Sequence, residues 1–248
     1  MKYMKSFDNS ITSLDYTNDG RLTIPNLPDK LITLYCSDNK LTKLPNLPDS
    51  LEYISCSGNY ITKLQKLPDS LLYLYCNSNY LSELPELPNG LKKLSFSNNK
   101  ISKLPKLPDT LILLNYSRNN ISELTSLPDT IRDLTCSYNN IIELPLLPES
   151  SLTINCDGNK LTKLPILPDS LQIFSCSSNY LTNLPILPSN LKKLYCKNNR
   201  LTTLPILPES LNELYCEGNN LPYNDLKGYK EWMNINHPEV EQTKKFNI

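Results

Sequence analysis

LKKLYCKNNRLTTLPILPES, residues 191–210, holds in twenty residues the pattern that decides the fold. Leu194 and Cys196 alternate around Tyr195, so in an extended chain they share one face and the tyrosine takes the other. Asn199 follows, and then two prolines, Pro205 and Pro208, spaced by three. Proline excludes a helix interior and favours a polyproline II path, so the second half of the stretch is expected to be extended rather than helical. The closing PES carries turn chemistry that sends the chain back toward another strand.

The frame returns without insertion at 31, 51, 71, 91, 111, 131, 151, 171 and 191, with a last half unit from Leu211. A degraded first unit, ITSLDYTNDGRLTIPNLPDK, occupies 11–30. A twenty-residue period with L-x-x-L-x-L-x-x-N-x-L spacing is the signature of a leucine-rich repeat. The spacing predicts a mostly β repeat solenoid of the α/β type, a curved right-handed coil with a parallel sheet on its concave face. The convex side is expected to be extended, and a C-terminal helix to close the end. Three regions are expected: a cap with the degenerate repeat at 1–30, the repeats at 31–220, and a capping helix with tail at 221–248.

The second half of each unit narrows the family. LPNLPDSL (44–51), LPELPNGL (84–91), LPILPDSL (164–171) and LPILPESL (204–211) resemble the short repeats of bacterial effectors of the YopM and IpaH/SspH group. The resemblance runs over 11–222, and the sixth position departs from it by carrying cysteine where that group more often has an aliphatic residue. It implies a protein-binding scaffold of the YopM kind. The ubiquitin-ligase domain of the IpaH type is not expected, because only about thirty residues follow the repeats.

The ninth position is asparagine in every unit from 31 onward: Asn39, Asn59, Asn79, Asn99, Asn119, Asn139, Asn159, Asn179, Asn199 and Asn219. A buried amide there satisfies backbone groups of its own coil and the next, so these are expected to be structural. All eight cysteines occupy the sixth position, where Tyr16, Phe96 and Tyr116 replace them in other coils. Large apolar-bodied substitutes mark a core column. Parallel strands lie about 4.8 Å apart, which leaves Cβ atoms too distant for the usual disulfide. A line of thiols also does not converge on one point as zinc requires. Free, inert thiols in a reducing cytoplasm are therefore expected, with no disulfide, metal or cofactor.

The ends differ from the middle. MKYMKSFDNS and the degraded unit are expected to cover the first coil. In NDLKGYKEWMNIN (224–236), Leu226, Tyr229, Trp232 and Met233 fall at helical spacing, with Asn224 as N-cap and Trp232 as anchor. The tail EVEQTKKFNI is expected to be loose.

Charge is balanced, 25 basic against 25 acidic residues, which argues against nucleic acid as the main partner. The first residues lack the apolar run of a secretory leader, and no stretch approaches a membrane span. Alanine is absent while Asn, Lys, Ile, Leu and Tyr abound, the mark of an A/T-rich coding sequence. The lone histidine, His237, lies in the tail, and no phosphate loop or metalloprotease motif is present, so no enzyme is expected.

Function is therefore sought on the surface. Positions 3, 5, 7 and 8 project from the concave sheet or its edge. Tyr35, Tyr53, Tyr73 and Tyr75 cluster early, followed by Lys93, with Tyr60 and Tyr80 at the nearby edge. Tyr195 and Tyr215 return late, flanked by Lys193, Lys197, Glu213 and Glu217. Tyrosine suits interface hot spots, and it also suits any exposed strand. Position 16 turns from polar residues to Leu146, Ile166, Ile186 and Ile206, either an exposed apolar strip or side chains half-packed between prolines. The expected role is non-enzymatic binding of another protein on the concave face, as a viral or bacterial effector-like adaptor. The alternative is a structural component that self-associates, and a monomer or weak self-association is expected.

Overall fold

The computed structural model describes residues 10–124 and 126–236. Eleven strands form one sheet among them, in the order of the chain and all parallel. Each has three residues, from β1 (Ser13–Asp15) and β2 (Thr33–Tyr35) to β10 (Lys193–Tyr195) and β11 (Glu213–Tyr215). Pairing is in register: Leu14 lies opposite Leu34, and Leu194 opposite Leu214. Each coil therefore advances the chain by one strand and twenty residues. The degraded unit at 11–30 joins the sheet as its first strand. MKYMKSFDN at the start, and the tail from His237 onward, lie outside the described residues.

The core runs down the axis of the coil. In the unit from 31, Leu31, Leu34, Cys36 and Leu41 are all fully buried, and the same columns are buried in the later coils. Phe96 and Tyr116 stand in the cysteine column, their rings stacked 6.0 Å apart. Among the described residues the return segments form neither helix nor strand. Where Gln65 replaces the usual proline, its side-chain amide donates to the Pro45 carbonyl of the coil before. The lost proline is thus replaced by a bridge between coils.

Each asparagine of the ninth column joins two coils. Asn139 Nδ2 donates to the carbonyls of Cys136 in its own coil and Tyr116 in the coil before, at 3.1 and 3.0 Å. Its Oδ1 accepts from Ile121 N–H at 3.1 Å. From Asn39 to Asn219 the same double donation recurs, for example at Asn59 and Asn199.

Two further columns were not read from the sequence. The twentieth position is mostly Ser or Thr, and its hydroxyl bonds the previous coil: Ser50 Oγ donates to the Leu31 carbonyl at 2.7 Å. The eighth position has positive φ in every coil, including Asp38 (57°), Gly58 (65°) and Gly218 (70°). Three glycines in that column, with Asn, Asp or Ser in six of the other eight coils, were the available signal.

The C-terminal cap, α1 (Leu226–Asn236), corrects two expectations. Its N-cap is Asp225 rather than Asn224, since Asp225 Oδ1 accepts from Gly228 N–H at 2.7 Å. The deepest cap residue is Tyr223, only 7% exposed, whereas Trp232 is half-buried above it with ring centres 5.6 Å apart. The loop before the helix carries Tyr223 down onto the last coil, because Cys216 N–H is satisfied by the Asn224 carbonyl at 3.0 Å. The helix then lays Leu226, Tyr229 and Trp232 across the open core.

Candidate functional site

On each strand the middle residue turns inward and the residues before and after it face the concave side. The early tyrosines therefore come together across strands that are distant in sequence. Tyr53, on β3 (Tyr53–Ser55), is the hub. Its ring lies 5.0 Å from Tyr35, 6.0 Å from Tyr73 and 5.6 Å from Tyr75, all tilted between 38° and 49°. Partial burial, with Tyr35 and Tyr75 alongside, pushes the Tyr53 hydroxyl up. Lys93 Nζ stands 6.0 Å from the Tyr73 ring centre. The platform is a continuous aromatic surface with hydroxyls at its rim and one cation at its border.

The late group is built differently. Tyr195 and Tyr215 stack 5.2 Å apart and 4° from parallel. Tyr195 donates its hydroxyl to Glu213 at 2.8 Å, and Lys193 pairs with the same carboxylate at 2.7 Å. Lys193 and the Tyr195 hydroxyl hold the Glu213 carboxyl below its usual value. Lys197 lies 4.6 Å over the Tyr215 ring and pairs with Glu217 at 3.1 Å. Such exposed pairs contribute little to stability, but they set the orientation of the rings.

Between the two groups the floor is small and internally bonded. Ser95 and Ser175 are buried, and each donates to the seventh position of the coil before, Asn77 and Asp157, at 2.7 Å. Burial pushes the Asp157 carboxyl up against those bonds. The polar middle thus uses its hydrogen-bonding groups within the fold.

The position-16 residues lie on the return segments, away from this face. Leu146, Ile166, Ile186 and Ile206 are 82%, 82%, 88% and 83% exposed, so the prolines do not cover them. Ile206 also lines a groove of about 370 Å³ with Leu204, Tyr229, Trp232 and Met233 of the cap.

All eight cysteines are free and buried. Burial pushes their thiols up, to about 12 at Cys36, Cys76, Cys136 and Cys216, which suppresses the reactive thiolate. Among the described residues no group of His, Cys, Asp and Glu is arranged to hold a metal ion, and no helix is long and apolar enough to cross a membrane.

Comparison with known proteins agrees with this geometry. The family model "Leucine Rich repeats (2 copies)" matches residues 29–69. YopM from Yersinia enterocolitica superimposes with a TM-score of 0.80 at 40% identity, over 81% of this chain and 45% of that one. The chain thus spans less than half the length of that protein. YopM from Yersinia pestis gives 0.56 at 29% identity, covering 85% and 78% of the two chains. A Shigella effector leucine-rich repeat domain gives 0.50 at 32% identity, covering 69% and 70%. No curated protein sequence matches. At 32% identity over more than two thirds of both chains for the Shigella domain, and 40% for YopM, the chain belongs to the leucine-rich repeat family of the YopM and Shigella effector type.

Proposed function

We propose that the chain is a non-enzymatic recognition scaffold that binds a protein partner on its concave face. Tyr35, Tyr53, Tyr73, Tyr75 and Lys93 form the principal contact, and Tyr195 and Tyr215 a second one toward the C-terminus. The observation that carries this reading is the convergence of four tyrosines from three successive strands, with Tyr53 within 6.0 Å of the other three rings. Large rigid rings with polar tips contribute strongly to interfaces at low entropic cost. The repeats at 31–220 supply the surface, while the degenerate repeat and α1 close the two ends. Eight unpaired thiols suit a reducing cytoplasm, and an effector-like adaptor fits both the compartment and the relatives.

The test is affinity capture from a lysate of the natural host, followed by direct titration of the captured protein. Changing Tyr53, Tyr73 and Tyr75 to Ala together is expected to weaken that protein's binding at least about 100-fold, in line with loss of several hot-spot residues. Equal binding by the variant would place recognition elsewhere.

A second reading rests on the strip Leu146, Ile166, Ile186 and Ile206, all more than four-fifths exposed. Four aliphatic side chains in line would serve self-association. Light scattering after size-exclusion chromatography decides it: if wild type is monomeric, or if changing Ile166, Ile186 and Ile206 to Ala leaves its mass unchanged, the strip is not a self-association surface.

A further inference from the structure

The tenth position of each coil forms a second, separate surface. It follows the buried asparagine, so its side chain points out at the edge where the chain leaves the sheet. Its backbone is held in a ladder of its own: Tyr60 N–H donates to Leu41 O, Lys100 to Leu81 O and Arg200 to Leu181 O, each at 2.8 Å. The column is therefore a rigid comb, one tooth per coil.

Its composition is unlike that of the chain. Four teeth are basic, Lys40, Lys100, Lys160 and Arg200, and the column contains no carboxylate from 31 to 220, although the whole chain is neutral. Three more are tyrosines, Tyr60, Tyr80 and Tyr180, 45–49% exposed. The cations sit on the rings: Lys100 lies 5.1 Å over Tyr80 and Arg200 4.8 Å over Tyr180. Nearby, in the thirteenth column, charge is neutralised instead, as Lys63 pairs with Glu83 and Lys163 with Glu143. None of the four basic teeth has a carboxylate partner among the described residues.

The comb is interrupted at Asn120 and Asn140, and there the eighth column continues it. Arg118 and Tyr138, two residues earlier on the same exposed edge, form the same pair, with the guanidinium 4.6 Å over the ring. Both have φ of 55°, a left-handed conformation that other coils assign to Gly, Asn, Asp or Ser. Bulky side chains are less favourable there than Gly, Asn or Asp. The Tyr138 ring packs close over Gly158, where a Cβ would meet Tyr138 Cδ1 at 2.6 Å, as a Cβ on Gly58 or Gly218 would meet the eighth residue of the coil before. A basic–aromatic pair accepted at the left-handed position in the two interrupted coils favours continuity of the row.

We propose that this edge, distinct from the concave face, docks an extended acidic polypeptide segment. Charge complementarity selects the ligand class, and a row of one tooth per coil selects an extended conformation. The eight coil steps from Lys40 to Arg200 span about 38 Å at strand spacing, the length of roughly twelve extended residues. Guanidinium groups seated over tyrosine rings keep N–H groups free for carboxylates. The same seating covers ring faces that bases would need for stacking, which disfavours single-stranded nucleic acid.

The experiment is fluorescence anisotropy at about 50 mM salt with a labelled glutamate-rich dodecapeptide, using an oligothymidylate of twelve nucleotides for comparison. The peptide is expected to bind, and to bind more tightly than the oligonucleotide. The triple variant Lys100→Gln, Arg118→Asn, Arg200→Gln should weaken it at least about 10-fold without lowering Tm, since asparagine is native to the eighth column at 98 and 198. Removing the same charge from the thirteenth column (Lys43, Lys63 and Lys103 to Gln) should change affinity less than about 2-fold, and so should the Tyr53, Tyr73, Tyr75 variant. An equal loss in either control, tighter binding of the oligonucleotide, or no peptide binding would each overturn the proposal.

Discussion

The interior and the outer surface of the same coils follow opposite rules. Inside, each column repeats one solution: cysteine or an aromatic ring at the sixth position, asparagine at the ninth, Ser or Thr at most twentieth positions. Every one of these side chains lies between two coils, so its neighbours are copies of itself. Outside, adjacent coils differ, with Tyr53 beside Tyr73 but Asp133 beside Thr153 in the same column. A repeat protein is stabilised mainly by contacts between nearest-neighbour coils, so the inward columns are constrained alike. The outward columns are free of that constraint and hold whatever distinguishes this chain from another solenoid of equal length.

The sharpest way to break this comparison is to change two adjacent asparagines. Asn139→Ala removes the acceptor of Ile121 N–H and the donor to three carbonyls. Leaving buried backbone groups unpaired costs on the order of 3 kcal/mol in total. Asn140→Ala, one residue on and pointing outward, should stay within about 0.5 kcal/mol. Urea unfolding of both variants measures the difference, and equal effects would remove the distinction between inward and outward positions.

A smaller effect tests the cysteine column. Cys176→Ser places a hydroxyl at a fully buried site and should cost about 1–2 kcal/mol. Cys156→Ser should cost less, because Cys156 Sγ already points at the Ser175 carbonyl, 3.3 Å away. Thermal melts of the two variants, compared with wild type, give the order.

The smallest effect concerns the boundary between interior and surface. Asp157 stands where Asn77 does the same work four coils earlier, each accepting from a serine hydroxyl and a backbone N–H. Burial raises the Asp157 carboxyl above its unfolded value, so its charged form opposes folding, and stability falls as pH rises through the raised value. Asp157→Asn should therefore raise Tm slightly at pH 7, by about 1–2 °C, and the gain should vanish below the ordinary carboxylate range. A variant that melts lower at pH 7 would mean that the hydrogen bonds, not burial, dominate at this carboxyl.

The helix cap shows where local reading stops. Helical spacing of Leu226, Tyr229 and Trp232 was legible, and those three do cover the core. The sequence reading took Asn224 as the cap, but Asp225 is as good a cap by type and is the one held at the helix start by its bridge with Tyr215. Tyr223 lies before the periodic segment, so no helical pattern marks it as the residue that plugs the end. On the candidate surface, the tyrosines were legible as a set, but the hub at Tyr53 and the locked geometry of Tyr195 with Glu213 were not.

The sequence by itself determined the solenoid, its twenty-residue coil, the parallel sheet and the inward columns, because each follows from a side-chain period that repeats without insertion. Tertiary structure alone decided which outward side chains meet. Residues twenty apart become neighbours only once the coils stack, and ring angle, ion pairing and exposure depend on both neighbours at once. For the same reason the left-handed eighth position, filled by six residue types over eleven coils, became visible as one column only in the folded coil.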